Sequence, residues 1–168
     1  ERLPGGLAQG RQVALVCRDP ETARALQKDA ANPRYLPGIT LPERIDAGTD
    51  PAILAGADII ILALPAQSLR RALPGYLPHL PPGATLVNTA KGIEVATGYT
   101  LSRTVAEIYP NHAQAVLSGP SFAVDVAAGK PTAVTLAATT EEEALALCRA
   151  LGSDTFRAYA SAEAMQAA

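Results

Sequence analysis

The chain has 168 residues, of which 48% are hydrophobic and 18% charged, and its formal net charge is -2. These values are typical of one ordinary globular domain. The slight acidic excess argues against general nucleic-acid binding, which needs a basic face for the phosphates. The longest apolar run, at 59–65, is far shorter than the roughly 20 residues of a membrane helix. With no signal-peptide pattern at its start, we predict a cytoplasmic protein with no nucleic acid partner and no membrane insertion.

The cysteine and histidine pattern predicts no metal site and no disulfide scaffold. Cys17 and Cys148 are too few for a multi-bridge framework, so thiols in a reducing compartment are expected. His79 and His112 lie in proline-containing segments typical of exposed loops, and neither has the spacing of a metal-binding pair.

Apolar runs alternate with helical patterns from end to end. Strands are predicted at 12–17, 58–64, 84–89, 113–117, 132–138 and 156–159. Helices are predicted at 20–30, 66–77, 99–108, 121–128 and from 141 onward, with a short one after Asp50 and a proline-rich loop at 32–42. This alternation is typical of βαβ units with right-handed crossovers. We therefore predict a doubly wound (Rossmann-like) α/β fold with a parallel sheet.

The beginning of the chain lacks the expected phosphate-binding turn of such a fold. A dinucleotide-binding domain ordinarily starts with a strand that runs into a Gly-x-Gly-x-x-Gly turn. Gly5, Gly6 and Gly10 do not have this spacing, and no apolar run precedes them. The 12–17 strand is therefore interpreted as the second strand, and the first strand and Gly-rich loop are expected to be missing.

Two charged residues follow the 12–17 strand, whose end is expected near the adenosine ribose of a cofactor. Arg18 would suit a 2′-phosphate there, but it is equally consistent with a solvated arginine at a strand end. Asp19 could accept a hydrogen bond from a ribose hydroxyl. Because Pro20 follows it, Asp19 is the better candidate for the N-cap of the next helix.

Two further motifs directly follow predicted strands: Thr-Ala-Lys-Gly-Ile-Glu at 89–94 and Ser-Gly-Pro-Ser-Phe-Ala at 118–123. Open α/β sheets place ligand-binding residues at such positions. Lys91 could stabilise negative charge on a substrate oxygen, although from spacing alone an exposed loop lysine is the simpler interpretation. Ser121 could cap its helix and also contact an anion at the helix N-terminus, and Gly119 could simply permit the turn.

These motifs occur in order with Arg-Asp-Pro at 18–20, Asn-Pro-Arg-Tyr-Leu-Pro-Gly at 32–38 and Pro-Thr-Ala at 131–133. This ordered series resembles the bacterial NAD(P)-dependent glycerol-3-phosphate dehydrogenases, and the resemblance extends over about residues 7–159. The resemblance implies an oxidoreductase that interconverts sn-glycerol 3-phosphate and dihydroxyacetone phosphate, with NAD or NADP, for glycerophospholipid synthesis. It also implies a small-molecule substrate and is compatible with a homodimer of the full-length enzyme.

The same resemblance assigns roles to individual residues. Substrate contacts are implied for Lys91, Gly119 and Ser121. Cofactor contacts are implied for Arg18, Tyr35, Lys91 and Ala123. The family's proton-acceptor lysine belongs to a helical C-terminal substrate domain that begins beyond Ala168, so no catalytic residue is expected in this chain. Residues 1–168 are thus predicted to be an incomplete N-terminal NAD(P)-binding domain that is inactive alone.

Two other functions remain open at this stage. One is a different NAD(P)-dependent hydroxy-acid reductase, which the pairing of the Lys91 motif with the Ser121 motif disfavours. The other is a non-catalytic interaction module that retains a dinucleotide fold. The intact state of both motifs is mildly unfavourable to a long-decayed module.

Overall fold

The computed structural model describes residues 11–41 and 45–161. The strands in these two ranges are β1 (Val13–Val16), β2 (Ala31–Asn32), β3 (Leu36–Thr40), β4 (Ile45–Gly48), β5 (Ile59–Leu62), β6 (Thr85–Asn88), β7 (Gln114–Ser118), β8 (Thr132–Ala138) and β9 (Phe156–Ser161). The α-helices are α1 (Pro20–Asp29), α2 (Leu69–Ala72), α3 (Leu101–Ile108), α4 (Ala123–Ala127) and α5 (Glu141–Leu151). Short 3₁₀ turns occupy Pro51–Leu54, Ala66–Ser68, Leu73–Gly75 and Leu77–His79.

Five strands form the main sheet, in the order β5-β6-β7-β8-β9. All neighbours in this sheet are parallel except β7 and β8, which are antiparallel. The doubly wound α/β prediction is confirmed, but the sheet is not wholly parallel. The chain between β7 and β8 contains only the five-residue α4. Val126 of that helix packs with residues of β6 to β8, whereas its alanines pack with β1, β3 and β4. The antiparallel pairing means that the chain returns beside β7 without crossing the main sheet.

Two smaller strand pairs lie on the side of β1. β1 pairs in parallel with β4, and β2 pairs with β3 as an antiparallel hairpin. The prediction of a loop at 32–42 was therefore wrong for β3. Pro37 is typical of a loop, but a proline is also tolerated in an edge strand, because there its missing N–H removes no hydrogen bond between strands. β4 was not predicted because only Ile45 and Ala47 alternate inward over its four residues.

The main sheet is covered on both faces over β5 to β7, whereas alternate residues of β8 and β9 are exposed. Successive residues of a strand point to opposite faces, and on β6 Leu86 packs with α2 and α3 while Val87 packs with α5. α5 begins with the predicted capping box, in which Thr140 and Glu143 bond each other's backbone N–H. The predicted helix at 66–77 is instead broken into short turns, because Pro74 removes a backbone donor within it.

A groove of about 510 Å³ separates β1 from β5. In the described part of the chain, β1 pairs only with β4 and β5 only with β6. Every residue of both strands lines the groove. Successive side chains of a strand point to opposite faces. A groove that is lined by every residue of a strand must therefore run along the edge of that strand. Such a space matches the expected missing first strand; the three glycines at 5, 6 and 10 lie outside the described residues.

Candidate active site

The segment that leads to Lys91 turns sharply away from the sheet after β6. Asn88, the buried last residue of β6, accepts a hydrogen bond from the Ala90 N–H at 3.1 Å. Thr89 donates its backbone N–H (3.3 Å) and its hydroxyl (3.1 Å) to the carbonyl of Leu62 at the end of β5. These bonds anchor the base of the loop, and Lys91 itself is exposed.

The loop after β7 meets the loop after β6 at one carbonyl group. The Gly119 oxygen accepts a hydrogen bond from Lys91 Nζ at 2.6 Å and another from the Ser121 N–H at 2.9 Å. The three residues with predicted substrate contacts therefore lie together at the carboxyl ends of two neighbouring strands. A Cβ at Gly119 would lie 3.0 Å from the Val134 Cα and 3.1 Å from the Ala133 oxygen. Glycine is needed here because β8 approaches closely.

Ser121 does not cap the following helix, so that part of the prediction was wrong. α4 begins at Ala123, and its N-cap residue is Phe122, which provides no side-chain hydrogen bond. The Gly-Pro turn leaves Ser121 one residue too early. With only five residues, α4 also offers little of the dipole that the sequence suggested for anion binding. Half-buried Ser121 remains beside Gly119 through its backbone bond.

The end of β1 carries Arg18 and Asp19, as predicted. Asp19 is the N-cap of α1: one carboxylate oxygen accepts from the Glu21 N–H at 3.1 Å, the other from the Thr22 hydroxyl at 2.7 Å. These bonds, with the Thr22 hydroxyl the strongest influence, lower the pKa of Asp19. The cap interpretation of Asp19 is thus confirmed, while Arg18 stays exposed just beyond the strand.

Tyr35 lies in the turn between β2 and β3 and is 55% exposed. The guanidinium carbon of Arg34 lies 5.3 Å from the centroid of its ring. After the hydrogen bonds from Thr22 and Glu21, the charge of Arg34 also lowers the pKa of Asp19. Sequence reasoning missed Arg34; its only signal was a basic residue next to an aromatic one.

Ala123 is half-buried at the start of α4 and is not part of the Lys91 contact. Together with Ala127 it packs against a cluster of β1, α1, β3 and β4 that contains buried Leu26 and Leu36. Ala123 therefore connects the Ser121 turn to the part of the fold that carries Arg18 and Tyr35.

His112 is not the exposed loop residue that was predicted. Both its ring nitrogens are buried, and its ring stands edge-on to Tyr109 at 5.6 Å between centroids.

Within residues 11–41 and 45–161, no group of three or more His, Cys, Asp or Glu side chains could hold a metal ion. Over the same residues, no helix has the length and apolar character needed to cross a membrane.

Comparison with known proteins identifies the family. Residues 7–144 match the family described as "NAD-dependent glycerol-3-phosphate dehydrogenase N-terminus". The chain belongs to this family. A glycerol-3-phosphate dehydrogenase [NAD(P)+] of Bradyrhizobium sp. (strain ORS 278) is 50% identical over 154 residues, which are 92% of this chain and 47% of that protein. The equivalent protein of Brucella canis is 45% identical over 155 residues, 92% of this chain and 48% of its own length.

The fold of this family member agrees with solved dehydrogenases. The crystal structure of glycerol-3-phosphate dehydrogenase from Coxiella burnetii superposes with a TM-score of 0.85 at 30% identity, covering 95% of this chain and 50% of that one. The chain therefore spans about half the length of the curated relatives it matches.

Proposed function

We propose that this chain is the cofactor-binding part of an NAD(P)-dependent oxidoreductase that interconverts sn-glycerol 3-phosphate and dihydroxyacetone phosphate for glycerophospholipid synthesis. The observation that carries the proposal is the 2.6 Å contact between Lys91 Nζ and the Gly119 oxygen. It joins the two sequence motifs at the sheet edge where α/β folds bind ligands. The bound nicotinamide would supply or accept the hydride.

Lys91 would stabilise charge on the substrate oxygen. Reduction of the ketone leaves negative charge on that oxygen, and a fixed cation nearby favours its formation. A lysine ammonium has three N–H donors, and the Gly119 carbonyl takes one of them. The remaining donors are available to a substrate hydroxyl or carbonyl. Ser121, held at the same carbonyl by its N–H, would contact the substrate from the other loop.

The cofactor would extend from Lys91 toward the end of β1. Arg18 and Tyr35 are exposed there, and a guanidinium with an aromatic face suits the phosphate and ring groups of an adenosine. Ala123, at the start of α4, would contact the nicotinamide side. The residues present thus fit both ends of a dinucleotide. They do not include a Gly-x-Gly-x-x-Gly turn for its pyrophosphate.

We further propose that residues 1–168 are an incomplete cofactor domain. The groove between β1 and β5 would hold one more strand, whose following turn would carry the pyrophosphate. A helical substrate domain would supply the proton-acceptor lysine. The 47% coverage of the Bradyrhizobium relative supports this proposal. A cytoplasmic homodimer completes it; thiol rather than disulfide states of Cys17 and Cys148 fit a reducing compartment.

The test uses protein expressed from the complete reading frame that contains this segment. Oxidation of NADH and NADPH is followed with dihydroxyacetone phosphate and with a panel of small keto acids. We expect turnover with dihydroxyacetone phosphate that falls about a hundredfold or more in Lys91→Met, while Lys28→Met, an exposed lysine on α1, stays near wild type. Selective turnover of a keto acid would overturn the proposal, as would a Lys91→Met enzyme with normal kinetics.

A further inference from the structure

The loop that carries Lys91 bends at the next residue. Gly92 has φ +104°, a conformation that residues with side chains rarely adopt, and nothing lies within 4 Å of a Cβ added to it. Beyond it the loop closes on itself through bonds from Glu94 N–H to the Tyr99 oxygen at 2.9 Å and from Gly98 N–H to the Glu94 oxygen at 2.8 Å. The Asn88 and Thr89 bonds hold the chain before Lys91, and contacts to residues 93–95 hold it on the other side.

The side-chain amide of Gln67 binds the backbone at both ends of the segment 93–95. Its Nε2 donates to the Ile93 oxygen at 2.8 Å, and its Oε1 accepts from the Val95 N–H at 3.0 Å. Gln67 lies in the turn after β5, the strand that pairs with β6. Its side chain is exposed, so these two bonds do not serve the packing of the core. They bind the backbone two and four residues beyond Lys91.

Arg70 holds the residue between those two bonds. Its Nε and Nη2 donate to the two carboxylate oxygens of Glu94 at 2.7 Å and 2.9 Å, a bidentate geometry that fixes direction as well as distance. Glu94 is only 6% exposed. A buried carboxylate is tolerated only when it is paired, so the side chain cannot leave Arg70 without cost. Arg70 also bonds Glu107 on α3 at 2.8 Å, which ties it to the helix layer.

We propose that Gln67 and Arg70 are positioning residues for Lys91: they clamp residues 93–95 so that Lys91 Nζ stays against the Gly119 oxygen. A role in the reaction rests on the proposed function. The clamp itself rests only on the contacts above. The sequence did not predict either residue, because a contact between a side chain and a distant loop leaves no periodic pattern.

The first test measures the position of Lys91 without turnover. The sequence contains three lysines, Lys28, Lys91 and Lys130, so trace acetylation with acetic anhydride and mass spectrometry gives the rate at Lys91 against two internal references. In protein from the complete reading frame, Gln67→Met removes both bonds to residues 93 and 95 and should raise the Lys91 rate about fivefold, as expected when the hydrogen bond from Lys91 to Gly119 is lost. The rates at Lys28 and Lys130 should not change. Gln27→Met, which removes an exposed glutamine on α1, is the control.

The second test measures the reaction with the same variants. Gln67→Met should lower kcat about tenfold or more, because a misplaced group costs rate steeply, with a much smaller change in the KM for the cofactor, which Arg18 and Tyr35 would still hold. Glu94→Gln should act in the same direction, whereas Glu107→Gln removes the other carboxylate on Arg70 and should leave kcat within about twofold. A purely structural role would alter the amount of folded protein and not this division between kcat and KM.

The outcomes separate the two proposals. An unchanged acetylation rate at Lys91 in Gln67→Met would overturn the clamp, and faster acetylation with a normal kcat would overturn its role in the reaction. Wild-type protein that does not turn over dihydroxyacetone phosphate would reject the proposed function, and the acetylation rates alone would then decide the clamp.

Discussion

Lys91 and Gly119 are 28 positions apart in the sequence, and one hydrogen bond of 2.6 Å joins the side chain of the first to the backbone oxygen of the second. Each follows a strand of a parallel pair, β6 and β7. Parallel neighbours end at the same edge of a sheet, which is why residues from separate motifs meet. The Gly119 carbonyl therefore helps to fix the position of the Lys91 ammonium group.

We predict that Gly119→Ala destabilises the fold by about 1–3 kcal/mol, the usual cost of forcing a methyl group into a packed region. The added methyl would meet two backbone atoms of β8, at 3.0 and 3.1 Å, as well as Val134 Cγ1 at 3.0 Å, and the backbone atoms cannot rotate away. Urea unfolding followed by circular dichroism measures the change. Gly75→Ala is the control, since nothing lies within 4 Å of its added Cβ. Equal midpoints for the two variants would contradict the close approach of β8.

We predict that Ser121→Ala and Thr140→Ala separate a site residue from a helix cap. Thr140 caps α5 through the Glu143 N–H, and its loss should cost about 1 kcal/mol of stability. Ser121 caps no helix, so its replacement should change stability by less than about 0.5 kcal/mol. It should instead raise the KM for dihydroxyacetone phosphate about tenfold through one lost hydrogen bond. A Ser121→Ala protein with normal KM and reduced stability would reverse this assignment.

We predict a dependence of stability on pH that originates at Glu94. The two hydrogen bonds from Arg70, and then the one from Thr97, lower the pKa of Glu94 below its ordinary value of 4.5. The carboxylate thus binds protons less readily in the folded state than in the unfolded state. Its stabilisation is complete above the ordinary pKa and is lost as the pH falls through the lower, folded value.

Glu94→Gln should therefore flatten the acid limb of the unfolding free energy between about pH 5 and pH 2. Urea unfolding at a series of pH values tests this expectation. Glu107→Gln serves as the comparison, because it removes a half-exposed carboxylate from the same guanidinium. An acid limb as steep in Glu94→Gln as in wild type would show that the Arg70 pair does not shift the titration.

We predict that the isolated 168-residue chain aggregates and binds NAD(P)H weakly or not at all. Among the described residues, the edges of β1 and β5 that border the groove have no strand partner, and such edges promote association between chains. Light scattering over a concentration series measures the association, and a fluorescence titration with NADH measures binding. A purified monomer that binds NADH tightly would refute the proposal that the groove needs another strand.

The sequence was sufficient for the main sheet because its inner strands are covered on both faces and appear as short apolar runs such as Ile59–Leu62, while β8 and β9 keep an alternating or apolar pattern. It was insufficient for β4 and for the β2–β3 hairpin, where few residues turn inward and prolines imitate a loop. The caps at Asp19 and Thr140 were predictable, since capping depends on residues within three positions.

The candidate site was predictable only in its list of motifs. That Lys91 and Gly119 come together follows from parallel strand order, but the reason for the glycine does not: it depends on β8, which returns antiparallel. The Gln67 and Arg70 contacts depend on two loops of different strands lying side by side. Local periodicity carries no information about such pairs.

The small helix α4 has a further consequence for the span of the molecule. In the described chain, no backbone ladder connects the β1–β4 pair to the main sheet, and Ala123 and Ala127 lie against the cluster beneath that pair. The methyl groups of Ala123 and Ala127 thus help to set the distance between the end of β1, which carries Arg18, and the loop that carries Lys91. A bulkier residue in place of either alanine would increase that distance. A dinucleotide bound at both Arg18 and Lys91 would then have to span a longer gap.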